Sequence, residues 1–379
     1  MPLNKDGSFT VDDNQGFKMF LDLYNPETGK FESVQEGGPG SGRYPAGSGA
    51  SPRASRARTS ENGFKQPVIP KGCRVYHGKP TFEKQPWMTS SAEMYAQKDS
   101  AGNPVYVKAV GDEYSDAEGN KIDSAGNRTA IVTDERQRYY RDLAKFQIDN
   151  SGATGGLANP VNVMMGGSSG AGKTEFLSSP DGKGLAPDDC VTIDCDKIKS
   201  QMADYRNVQI EDVGWRDAAA FAHEESSTVG DMALKMSLDG KYNTVLDGTG
   251  DGSETKYLAK LEAMGKNGPT SLVYVAVPLN ESLASVSRRA ELMRRLIPTD
   301  VVTSLHAGVS DRFVTAMQVQ GESKYNISKI TLAERKIATS SKGGFNVVYS
   351  KTTGGRDVYN GVNAQDKVAT FLSYGKENK

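Results

Sequence analysis

The sequence predicts an α/β chain: a three-layer α/β/α domain on a mostly parallel five-stranded sheet, preceded by a disordered linker and a small β-rich region. Three observations predict it. From residue 161 onward, short apolar runs alternate with segments of helical period, the pattern of parallel strands joined by crossover helices. The first of those runs, Val161–Met165, breaks into glycine and closes on Lys173 and Thr174. Two later runs end in acids, at Asp194 and Asp247, where an open parallel sheet gathers its ligand groups.

Four segments follow from composition. Residues 1–36 hold a few apolar positions (Phe9, Phe17, Met19, Phe20, Leu21) that suit a helix or a docking segment. Residues 37–63 are built from Gly, Pro, Ser, Ala and Arg with almost no core-forming residue, too little apolar surface to offset ordering entropy, so they read as disordered linker. Arg43, Arg53, Arg56 and Arg58 make it basic; a solvated linker is favoured over a polyanion hook. Residues 64–133 carry β-like pieces at Val75–Tyr76, Pro104–Val110 and Thr129–Val132. Between them D-x-x-G-N turns recur at Asp99–Asn103, Asp116–Asn120 and Asp123–Asn127, where Asp caps the turn and Gly-Asn supplies positive φ. Their spacing does not fit an EF-hand.

Residues 134–379 form the main domain. Asp134 is the N-cap candidate of a helix to Ile148, with Tyr139, Tyr140, Leu143 and Phe146 at helical spacing. The strand candidates are Val161–Met165, Cys190–Ile193, Thr244–Leu246, Ser271–Val277 and Asn346–Tyr349. The helices between them are Asp217–Leu238, Thr255–Ala263 and Glu281–Leu296.

Gly167 to Thr174 satisfies G-x-x-x-x-G-K-[ST], the phosphate-binding loop. Gly167, Ser168, Ser169, Gly170, Ala171 and Gly172 offer backbone N–H groups that can close on an anion. Lys173 adds a point charge for the β/γ-phosphates, and Thr174 a hydroxyl for Mg²⁺. Pro180 and Asp181-Gly182 end the helix that follows after about two turns. The chain is therefore expected to bind a nucleotide, with Mg²⁺ at Thr174.

Other acids and arginines supply chemistry. VTIDCD ends a strand in Asp194 and Asp196: one caps the next helix while Asp196 is the candidate general base toward an acceptor hydroxyl. VLDGTG places Asp247 as a metal ligand, with Gly248 where hydrolytic ATPases commonly carry a water-orienting carboxylate, which favours transfer to a bound hydroxyl. HEESS at His223–Ser227 lacks the second histidine of a zinc site; it reads as a solvated helical patch or as substrate recognition through Glu225 or Ser226. Arg289 and Arg295 stand six apart, so both reach one site if the helix ends between them.

In this order, GGSSGAGKT, IDCDKIK, HEESS, YNTVLDGTGDGS and VYVAVP followed by R-R…R-R-L-I-P and His306 resemble the zeta-toxin family of P-loop kinases. The resemblance covers residues 134–350. It implies transfer of the ATP γ-phosphate to a sugar hydroxyl, the best-known acceptor being UDP-N-acetylglucosamine. It implies Lys173 and Thr174 at the phosphates and Mg²⁺, Asp196 as base, and Arg289 and Arg295 as transition-state arginines. Asp231 falls at the family's substrate-binding acid, with Glu224 and Glu225 as competitors, and Thr249 would touch the acceptor. An antitoxin is a partner the resemblance suggests.

Bulk properties set the remaining expectations. A formal charge of −1 over 379 residues gives no whole-chain bias toward nucleic acid or membrane. Three scattered cysteines (Cys73, Cys190, Cys195) suit a reducing compartment, and the N-terminus lacks the pattern of a signal peptide. The expected setting is the cytoplasm, or a virion if the Gly/Arg linker marks phage origin. A nucleotide-binding structural or virion-associated role and a polynucleotide 5′-kinase remain as alternative functions.

Overall fold

The computed structural model describes residues 91–102, 105, 130–202, 204–205, 218–250, 253–293, 295–336 and 344–375, together with the backbone of four short strands nearer the N-terminus. Two of these, Leu21–Asn25 and Lys30–Val34, pair antiparallel. Nearly all of the linker, the pieces Val75–Tyr76 and (Val105 apart) Pro104–Val110, the turns at 116–120 and 123–127, and Arg294 lie outside the described residues. The turn at Asp99 is described: its carboxylate accepts from the Ala101 N–H at 2.9 Å and Gly102 takes a φ of 85°, the turn chemistry expected of D-S-A-G-N.

The sheet has seven strands. In chain order they are β1 (Asn162–Gly166), β2 (Val191–Asp194), β3 (Thr244–Asp247), β4 (Thr270–Ala276), β5 (Ile327–Arg335), β6 (Phe345–Thr352) and β7 (Val358–Tyr359), arranged β7-β6-β5-β4-β1-β3-β2. The strands from β5 to β2 are all parallel; β6 and β7 add an antiparallel edge. The sheet therefore exceeds the five strands read from the sequence. β5 is an added parallel strand, and the expected strand at Asn346–Tyr349 turns back against it.

Helices α1 (Asp134–Asp149), α2 (Lys173–Leu177), α3 (Cys195–Gln201), α4 (His223–Asp239), α5 (Glu254–Asn267), α6 (Leu279–Met293), α7 (Thr299–Val319) and α8 (Ala364–Ser373) fill the connections. Thr133, not Asp134, caps α1, its hydroxyl accepting from the Arg136 N–H, while Asp134 and Glu135 face the helix dipole in the first turn. Ser253 caps α5 in the same way. The long helix expected from Asp217 is broken at Ala222, so α4 starts at His223. α2 is five residues long and stops before Pro180.

Period-2 alternation splits the strands between two cores. Met164, Leu246, Leu272 and Tyr274 face one side with α1, α4, α5, α7 and α8; Val163, Met165, Val245, Val273 and Val275 face the other with Phe176 of α2. The helical cover is thus uneven. The thinner side is closed by α2 and by Leu185 and Ala186 from the following loop. All of β1 is buried, as a strand covered on both faces requires. The larger core also takes in Ala92, Ala96, Ala130 and Val132, so it draws on residues upstream of 134.

Candidate active site

The carboxyl ends of β1, β3 and β2 lie side by side, and parallel register sets Asp194 directly opposite Asp247. That end of the sheet, where the order reverses about β1, is where ligands bind in open α/β sheets. The phosphate loop rises from β1. Gly167, Gly170 and Gly172 all take positive φ, at 155°, 85° and 87°, and the N–H groups of Ser169, Gly170, Gly172 and Lys173 donate to no acceptor among the described residues. Lys173 Nζ donates to the Gly167 carbonyl at 3.0 Å. This folds its ammonium back over the loop.

Asp247 meets the loop at its far end. Thr174 Oγ1 donates to Asp247 Oδ2 at 2.8 Å. A hydroxyl and a carboxylate placed together beside a phosphate loop are hard oxygen donors of the kind Mg²⁺ takes, so the residues present fit that ion. Thr249 contributes its backbone: its carbonyl accepts from the Gly167 N–H at 2.9 Å. Gly250 follows at φ 69°, where a Cβ would come within 3.1 Å of the Gly166 backbone. Glycine is needed at position 250 because the VLDGTG turn crosses the end of β1 there.

Asp194 and Asp196 divide their work as their positions dictate. Asp194 is the N-cap of α3, its Oδ1 accepting from the Asp196 N–H at 2.8 Å and the Lys197 N–H at 3.4 Å. Burial, then repulsion from Asp196 and Asp247, pushes its carboxyl up to about 6. Asp196 carries a partner on each oxygen: Lys199 Nζ at 3.4 Å from Oδ1 and Arg295 Nη2 at 2.5 Å from Oδ2. Desolvation raises this carboxyl, but Arg295, Lys199 and Lys173 outweigh it and hold it well below the usual carboxylate range. Lys199 also lies 3.5 Å from His223 Nδ1.

Helix α6 ends at Met293, between Arg289 and Arg295, so both guanidinium groups reach the same region. Together with Val286 and Ile297 they line a small cleft. Arg289 Nη2 donates to Ser169 Oγ at 3.4 Å. Burial and the neighbouring Arg295 lower the Arg289 pKa; burial acts the same way on Arg295, but Asp196 outweighs it and the value rises.

Two substrate candidates sit elsewhere. Glu225 is fully buried, and the HEESS segment is an interior face, not a solvated patch, at Glu225 and Ser226. The Glu225 carboxylate accepts from Arg136 Nε at 2.6 Å, Arg136 Nη2 at 2.9 Å and the Tyr140 hydroxyl at 2.5 Å. Substrate contact would require dismantling that cluster. Asp231 is 61% exposed and pairs with Lys260 of α5 at 2.7 Å. His306 is buried, its Nε2 2.8 Å from the Val277 carbonyl.

Several site residues escape sequence reading. Lys199 stands three residues after Asp196, one helical turn away, which is the signal that could have found it. Arg335 ends β5 and donates to the Gly170 carbonyl at 3.1 Å and to Glu175 at 2.9 Å; it was hidden because its strand was not recognised. Ser282, an ordinary serine in an amphipathic helix, gives no sequence signal.

The family model for zeta toxin matches residues 123–354. The chain belongs to the zeta-toxin family. Zeta toxins are ATP-dependent kinases, so this family member is a phosphotransferase. No curated protein matches the sequence. Among solved structures, a chain of the PezAT chromosomal toxin–antitoxin system of Streptococcus pneumoniae is 18% identical over 53% of this chain and 77% of that one, with a TM-score of 0.39. AvrRxo1-ORF1:-ORF2 with ATP is 17% identical over 73% of this chain and 82% of that one, with a TM-score of 0.44. A second AvrRxo1-ORF1:AvrRxo1-ORF2 structure, with sulphate ions, is 18% identical over 61% and 72%, at 0.42. Among the described residues no helix is long and apolar enough to cross a membrane, and no cluster of three His, Cys, Asp or Glu could hold a metal ion.

Proposed function

We propose that this family member transfers the γ-phosphate of ATP to a hydroxyl of a nucleotide sugar such as UDP-N-acetylglucosamine. The observation that carries the reading is the meeting of Lys173, Thr174, Asp247 and the Asp196–Arg295 pair at the ends of adjacent strands. The acceptor oxygen attacks the γ-phosphorus, the bond to the β–γ bridging oxygen breaks, and ADP leaves with that electron pair. Asp196 takes the acceptor's proton as the new bond forms. Lys173 and the loop N–H groups hold the phosphates, and Arg289 and Arg295 face the charge that builds on the transferring group.

Thr174 and Asp247 would hold Mg²⁺, which when bound neutralises charge on the β- and γ-phosphates. Thr249 and Asp231 are the acceptor contacts in this reading. Glu225 is the weaker choice, since its carboxylate is spent on Arg136 and Tyr140. Gly248 follows Asp247 where a hydrolytic enzyme would carry a carboxylate, which supports a hydroxyl acceptor over water. An antitoxin is the partner this function implies, with host cytoplasm or a virion as its setting.

The test is incubation of purified protein with γ-labelled ATP and a panel of UDP-sugars. Label is expected on a UDP-sugar; label recovered only as free phosphate with every acceptor would overturn the kinase reading.

A further inference from the structure

Two turns of helix α6 reach the same residue of the phosphate loop. Ser282 Oγ donates to the Ser169 carbonyl at 2.6 Å, and Arg289 Nη2 donates to the Ser169 hydroxyl at 3.4 Å. Positions 282, 286 and 289 are spaced i, i+4 and i+7, one face of a helix, and Val286 and Arg289 on that face line the cleft shared with Arg295. Ser282 is fully buried, and Ser168 Oγ lies 3.0 Å from its oxygen. With its own hydrogen spent on the Ser169 carbonyl, Ser282 accepts from Ser168. The approach is close. A Cβ on Gly170 would stand 3.0 Å from the Ser282 carbonyl oxygen and 3.0 Å from Ser285 Cβ.

A trans peptide points its carbonyl and the following N–H in opposite directions. A Ser169 carbonyl held on the α6 side therefore turns the Gly170 N–H to the opposite side, where it meets no acceptor among the described residues. Backbone N–H groups turned this way are what a phosphate loop offers an anion.

We propose that Ser282 is a positioning residue: its hydroxyl fixes the Ser169–Gly170 peptide with its N–H toward the nucleotide phosphates and ties the Arg289 helix to the loop. The proposal rests on the ATP-site reading and not on the identity of the acceptor. Losing Ser282 leaves a buried carbonyl unpaired, so the peptide is free to rotate, and the affected contact is to phosphate rather than to the nucleoside.

Nucleotide affinity measured by competition against a fluorescent ATP analogue, without acceptor and well below the melting transition, tests it. Ser282→Ala is expected to weaken ATP by about tenfold, the size of one lost hydrogen bond with a stranded buried partner, and adenosine by less than about twofold. Ser282→Cys, which keeps the volume but donates weakly, should fall between. Ser285→Ala, a hydroxyl on the same helix, should leave both affinities unchanged. Equal weakening of ATP and adenosine would mark Ser282 as merely structural, and unchanged ATP affinity in both Ser282 variants would also overturn the proposal. A protein that binds ATP yet labels no acceptor would defeat the acceptor reading and leave this comparison intact.

Discussion

Asp196 and Arg295 close an ion pair of 2.5 Å between the first turn of α3 and the segment that follows α6. Lys199 stands at the other carboxylate oxygen, so each oxygen has a cationic partner while the Asp196 side chain stays 42% exposed. Of the charges that hold this carboxyl low, Arg295 contributes most, followed by Lys199 and Lys173.

The first expectation follows from that pair. Asp196→Asn keeps shape and loses the base, so transfer should fall by about 10²–10⁴-fold while ATP affinity holds, because the loop grips the nucleotide independently. Lys173→Ala should weaken both affinity and turnover. Single-turnover transfer alongside nucleotide titration separates the cases. An Asp196→Asn protein retaining more than about a tenth of wild-type turnover would show that another group takes the proton.

Arg289→Ala addresses the second arginine. Among the described residues its guanidinium bonds to the loop at the Ser169 hydroxyl, at 3.4 Å, a long and weak contact. The expected result is a lower kcat with ATP KM nearly unchanged, the signature of an interaction made in the transition state. A rise in KM with kcat unchanged would reassign Arg289 to ground-state binding.

The loop, both strand-end acids and the arginine pair were legible because each is a local pattern: glycine spacing, an acid closing an apolar run, arginines near a helix end. What escaped was set by tertiary contact. β5 reads ISKITLAER, with polar residues interrupting its apolar ones, and only its place between β4 and β6 marks it as a strand. Glu225 sits in a polar HEESS string that looks solvated; its burial depends on Arg136, 89 residues away in sequence. That one of Asp194 and Asp196 caps the next helix was legible; that it is Asp194 shows only in the backbone bonds it accepts.

Asp194 supplies a pH test. Its carboxyl lies near 6 in the folded chain against an ordinary value of about 3.9. Between those values the folded state binds the proton and the unfolded state does not, so this group's contribution to stability is full below about 3.9 and is lost as pH rises through 6. Asn at this position still accepts the capping N–H bonds but carries no charge. In magnesium-free buffer, the melting temperature of Asp194→Asn relative to wild type should therefore be higher at pH 7.5 than at pH 4. An equal offset at both pH values would contradict a raised carboxyl here.

The last expectation concerns the buried cluster behind the site. The guanidinium of Arg136 in α1 makes three hydrogen bonds: two to Glu225 of α4, and one to Asp204 at 2.7 Å. Tyr140 donates to the first carboxylate and Tyr95 to the second, and the guanidinium lies 3.8 Å over the Tyr95 ring. One guanidinium thus joins α1, α4, Asp204 and the segment before α1. Arg136→Ala strands two carboxylates in the interior, and breaking a buried pair costs about 3–5 kcal/mol. For a domain of this size that lowers the melting temperature by roughly 6–20 °C. Lys145→Ala, which breaks an exposed pair with Asp149 on the same helix, should shift it hardly at all. Arg136→Lys should recover little, since one ammonium cannot reproduce the planar fork across two acids. Because the cluster faces the core and not the phosphate loop, kcat measured below the transition should stay near wild type. A large fall in kcat with an unchanged melting temperature would instead give Glu225 back its place at the substrate.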